Sequence, residues 1–76
     1  MILEKTKILH FFLFCIYALA EKYGKTSAYI FDIFEKYGVS PYIIDCYDAL
    51  HTQGKYYIID DLEGFVIDKG GDFNAN

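Results

Sequence analysis

The chain reads as a mostly α domain, a small three-to-four-helix domain with a short extended segment before the last helix. Three observations predict it. Apolar residues recur at helical spacing in three successive stretches. Those stretches open on capping residues or close on glycines. A single short β-prone run, residues 55–59, lies between the third stretch and a weaker fourth.

The first helix is predicted from about residue 5 to residue 23, after a frayed or extended start at 1–4. Its centre, residues 8–20, contains one clearly polar side chain, His10, and the rest of the chain must arrange itself around it. On a helical wheel Leu9, Phe12, Leu13, Ile16, Leu19, Ala20 and Tyr23 fall on one broad stripe, which should face the core. The opposite side carries Lys7, His10 and Glu21, but also Phe11, Phe14, Tyr17 and Ala18. Phe11, Phe14 and Tyr17 are therefore candidate partner-binding residues, unless later helices cover both sides. A secretory leader would need a basic start, an uninterrupted apolar centre and a small-residue cleavage site. Glu4 and His10 oppose the first two, and the apolar run is well short of the roughly 20 residues a bilayer requires.

Gly24 should close the first helix in a left-handed conformation, with Lys22 near its negative end. Thr26 or Ser27 starts the second, whose inward residues are Ile30, Ile33, Phe34 and Tyr37, with Tyr29 and Phe31 at its edges. Asp32 and Lys36 have the spacing of an i,i+4 ion pair. Gly38 ends that helix, and Val39 is placed to touch Phe34. For the third helix Ser40 is the expected cap, with Pro41 in the first turn and Val39 stapling to Ile44. Ile43, Cys46, Tyr47 and Leu50 would face inward, and Gly54 ends the helix or its following turn. The fourth helix, about 61–69, would open on Asp60 and Asp61 with Glu63 as the reciprocal partner and bury Leu62, Phe65 and Val66. Gly64 weakens it by roughly 1 kcal/mol relative to alanine. Residues 1–69 then form one helical domain and 70–76 a disordered tail.

Composition narrows the function. A chain of 76 residues has a small core, and its seven Phe and eight Tyr compensate by burying large rings. The net charge is −4 and there is no arginine, which argues against a nucleic-acid partner. Cys15 and Cys46 sit among apolar neighbours without CxxC spacing and read as small hydrophobic residues. Asp45, Asp48, His51 and Thr52 lie within two turns of one helix. Asp48 and His51 could ligate a metal, or His51 could act as an acid/base oriented by Asp48. Without a nucleophile or third ligand, His51 is better read as bonding the last carbonyls of its helix. The acidic residues Asp60, Asp61, Glu63 and Asp68 lack the order of a calcium loop. No cofactor, metal or catalytic residue is expected, no membrane or nucleic-acid partner, and a cytoplasmic location.

The elements Tyr37-Gly-Val39, Leu50-His-Thr-Gln-Gly54 and Tyr57-Ile58 with Asp61-Leu62 resemble an uncharacterised family of short bacterial proteins, a domain of unknown function. The resemblance covers roughly residues 31–67 and marks Leu50, His51, Thr52, Gly54, Tyr57 and Asp61, without a chemistry for any of them. The chain departs from the family pattern at Gly64 and in its glycine-rich tail. The family's usual neighbours resemble ADP-ribosyltransferases, which implies an accessory or antitoxin-like role. The expectation is a small non-enzymatic protein-binding module whose partner is another protein, or else a homo-oligomer. Two alternatives stand beside it: an acidic phage-type inhibitor of a host defence protein, and a helix-turn-helix regulator.

Overall fold

The computed structural model describes residues 2–74, with side chains from Lys5 onward. Among the described residues there are five helices and no strand: α1 (Ile2–Tyr23), α2 (Ser27–Tyr37), α3 (Val39–Asp45), α4 (Tyr47–Leu50) and α5 (Lys55–Asp68). The mostly helical reading holds. Helix α1 takes in residues 2–4, expected as a frayed start, and at about 1.5 Å per residue it runs along the long axis of a molecule of 38 × 22 × 22 Å. No helix among the described residues is long and apolar enough to cross a membrane.

Glycines and one threonine punctuate the helices. Gly24 is left-handed (φ 63°), its amide reaches the Glu21 carbonyl, and the Lys25 amide reaches Ala20 O at 3.0 Å. Gly70 (φ 89°) closes α5 with the same pair of bonds, from Gly70 to Ile67 O and from Gly71 to Val66 O. Both ends thus satisfy carbonyls that a helix otherwise leaves open. Thr26 caps α2, its Oγ1 accepting from the Tyr29 amide at 3.1 Å. Lys36 lies over the Tyr37 ring rather than pairing with Asp32.

The third helix differs from expectation at both ends. It begins at Val39, with left-handed Gly38 as its first flanking residue, so Gly38 ends one helix and starts the next. Ser40, expected as the cap, instead donates its hydroxyl to Glu35 at 2.7 Å. Val39 is buried, but Ile44, its expected staple partner, is exposed. The helix then breaks at Cys46 (φ −104°, ψ 16°), whose carbonyl accepts from both Ala49 and Leu50 as the four-residue α4 begins.

Residues 55–59, expected to be extended, are the first turns of α5, and only Gly54 before them has extended backbone (ψ 160°). As a helix the run aligns Ile58, Ile59, Leu62 and Val66 on one buried face. As a strand it would have no neighbour to pair with, so its β-propensity is overridden. Asp60 and Asp61 consequently lie inside the helix and do not cap it. Phe65, expected inward, is half-buried, with the Tyr42 ring stacked on it at 4.3 Å.

The core draws Cys15, Ile16, Ala18 and Leu19 from α1, Ile30 and Phe34 from α2, Val39 and Ile43 from α3, and the α5 face just named. No polar or charged residue is buried among the described residues. Phe73 completes the core at 2% exposure, stacked on Tyr23 and edge-on to Phe34. The tail expected to be disordered is therefore described through Asn74 and tied down by this ring; Ala75 and Asn76 lie outside the described residues.

Candidate functional site

Helix α1 buries a wider arc than the wheel suggests. Ala18, expected on the wet side, is buried because α5 crosses it. Leu9, expected in the core stripe, is 53% exposed, because at its level nothing covers that flank of the helix. Of the three rings expected to meet a partner, Phe14 is 39% exposed and Tyr17 58%. Phe11 does not stand free: it is half-buried, and its ring meets the edge of Tyr47 at 5.5 Å.

That contact joins two features that lie far apart in the sequence. Phe14 stacks on Phe11 at 6.2 Å, Phe11 contacts Tyr47, and Tyr47 stacks on His51 at 4.2 Å with the planes 7° from parallel. These separations are those of favourable ring pairs, and the result is a continuous row of four rings from α1 to the turn after α4. His51 is anchored in it by Nδ1, which donates to the Tyr47 carbonyl at 2.7 Å, since a carbonyl can only accept. Asp48, expected to orient that ring, makes no hydrogen bond to it among the described residues. Lys7, Asp45 and Asp48 stand with Tyr47 and His51 around a cavity of about 380 Å³ at the side of the row. No group of three or more His, Cys, Asp or Glu able to hold a metal occurs among the described residues.

The residues marked by the resemblance separate into two kinds. Leu50 is buried, His51 closes α4, Thr52 donates to Ala49 O at 3.3 Å, and Asp61 accepts the Tyr42 hydroxyl at 2.6 Å. These explain themselves as structure. Tyr57 stands exposed at the start of α5, and Gly54 has open space where a side chain would be, so sterics demand glycine at neither its φ nor its surroundings. Tyr47, the ring that links α1 to the His51 turn, reads from the sequence only as a core residue; no local signal marks its role, because the contact with Phe11 is long-range.

Electrostatics concentrates elsewhere. Glu63 receives Lys22 Nζ at 2.5 Å and also the Tyr23 hydroxyl, and Lys55 pairs with Glu21 at 3.1 Å, so these ties bind α5 to the C-terminal end of α1. Burial, reinforced by the Glu63 hydrogen bond and charge, raises the Tyr23 phenol above its ordinary value. Tyr42 is raised chiefly by its hydrogen bond to Asp61, then by burial. Cys15 and Cys46 are free thiols, and burial pushes Cys15 up to about 12, leaving it without nucleophilic thiolate at neutral pH.

A family model described as a protein of unknown function, DUF3791, matches residues 10–69. Neither a curated protein nor a solved structure matches the chain.

Proposed function

We propose that this chain, which belongs to the DUF3791 family of unknown function, is a small non-enzymatic protein-binding module of the cytoplasm that docks another protein through Phe14 and Tyr17. The Phe11, Tyr47 and His51 rings flank Phe14 and hold it in place, and Tyr17 stands exposed one turn further along α1. The observation that carries this reading is the continuity of the ring row: large rings left half-exposed on a short domain, fixed by stacking before any partner arrives, are the kind of anchor on which interfaces concentrate their energy. Pre-ordering also lowers the entropy lost on binding. An accessory or antitoxin-like pairing with an ADP-ribosyltransferase-like neighbour is the partner class that the family resemblance suggests.

The acidic balance favours one competing reading, an inhibitor that occupies a nucleic-acid site on a defence protein. A helix-turn-helix regulator has less support, since no arginine is available for base or phosphate contacts. The test is capture from a lysate of the native host with tagged wild type and with a Phe14→Ser/Tyr17→Asn variant, each at low and high salt. A stoichiometric partner retained by the wild type at both salt levels and lost by the variant is the expected result. A partner that the variant still retains would overturn the ring surface, and one released by salt alone would replace it with charge mimicry.

A further inference from the structure

Beyond Ile8 and Ile44, which it shares with the cavity beside the ring row, lies an apolar-walled notch of about 400 Å³, with Lys5, Ile8, Leu9 and Phe12 on the α1 side and Ser40 and Ile44 across it. Leu9 and Ile44, at 53% and 51% exposure, stand at its edges, and Phe31 lies just beyond, edge-on to Phe12. Glu35 closes the far rim. We propose that a second copy of this chain closes the notch, across a two-fold axis running along it.

Charge selects this occupant. Lys5 lies on one rim and Glu35 on the other, and among the described residues neither has an ion-pair partner. A two-fold rotation about an axis along the notch brings each Lys5 opposite the second copy's Glu35, twice, so the rim is complementary to itself. Shape agrees: the same rotation sets each Leu9 against the second copy's Ile44, twice, so the exposed apolar edges of the two notches cover one another, as a self-complementary interface requires. Three half-exposed side chains around one notch make a patch smaller than the roughly 800 Å² per partner of a standard stable interface. The dimer is accordingly weak, half-formed at about 10–100 μM.

Sedimentation equilibrium of the purified chain, from about 10 μM to about 1 mM, tests this directly. The mass should rise from 8.8 kDa toward twice that value. Leu9→Asp/Ile44→Asp should stay monomeric throughout with its helical circular dichroism intact. Lys5→Glu alone and Glu35→Lys alone should each weaken association about tenfold. An equimolar mixture of those two should restore it, because the mixed pair has both contacts attractive. The charge variants keep the test decisive if the apolar pair fails to fold. A wild type still at 8.8 kDa at the highest concentration would overturn the proposal, as would a mixture no tighter than either variant alone. So would loss of the dimer in Phe14→Ser/Tyr17→Asn, which would move the interface to the ring row.

Discussion

The two ends of α1 meet different surroundings. Its C-terminal end is covered by α5, Phe73 stacks on Tyr23, Glu63 gathers Lys22 and Tyr23, and Gly24 closes the helix with both of its terminal bonds. Its N-terminal half touches the body through Ile8, Phe11 and Phe12 and leaves Leu9 and Phe14 substantially exposed on its two flanks, with Tyr17 exposed a turn further on. Both halves carry rings, but Tyr23 at the C-terminal end is locked against Phe73, whereas Phe14 and Tyr17 near the middle face solvent. In a domain this small the division has a consequence: the end tied down by α5 and Phe73 has little room for function, and the rings left facing solvent contribute less to stability.

Substitutions should separate the halves by size of effect. Phe73→Ala removes a buried ring from the anchored end and should cost about 3–5 kcal/mol. That is a large share of the roughly 4–11 kcal/mol a chain of this length holds, and denaturant titration measures it directly. An effect within experimental error would mean that residues 70–74 do not dock.

Alkaline pH should also act on the anchored end. The Tyr23 and Tyr42 phenols are raised above the ordinary value of 10.0, so above that pH the unfolded chain releases protons that the folded chain retains. The unfolded state then binds fewer protons, and stability falls as pH rises. The stability these phenols contribute is therefore fully present below about pH 10 and is lost above it. Tyr23→Phe with Tyr42→Phe should flatten the decline in a series of unfolding curves; an unchanged slope would remove both phenols from the account.

Gly64 lies within α5 with open space at its Cβ position, so Gly64→Ala should stabilise the chain by about 1 kcal/mol. The melting temperature would rise by about 4–8 °C. The exposed rings come last: Phe14→Ser/Tyr17→Asn loses one ring pair and should destabilise the fold by about 1 kcal/mol while keeping unfolding cooperative. A loss of several kcal/mol there would place those rings in the core and erase the division between the two ends.

Much of the anchored architecture was legible in the chain. Thr26, Gly24 and Gly38 act where local chemistry put them, and Ile30 and Phe34 are buried as their spacing implies. Such signals depend only on near neighbours. The misreadings at Leu9, residues 55–59 and Phe73 share a cause, which is that each depends on what a distant element covers, whereas the one at Ser40 is local. Leu9 has the right phase for the core stripe, but no helix reaches its flank. Residues 55–59 favour a strand only where another strand can pair with them. Ser40 could cap a helix, but Glu35 lies within its reach. The candidate site divides in the same way: outward Phe14 and Tyr17 follow from the wheel, whereas the Phe11–Tyr47 contact that joins Phe14 to His51 does not.

Hydrogen exchange along α1 in dilute wild-type and Gly64→Ala protein tests the division most directly, because it reads stability residue by residue. Amides from Ile16 to Tyr23 should exchange only through global unfolding and slow further in Gly64→Ala. Those from Lys7 to His10 should exchange by local fraying, at rates that the substitution leaves unchanged. Uniform protection along the whole helix, slowed throughout by Gly64→Ala, would contradict the account, since α1 would then be one cooperative unit with no difference between its ends.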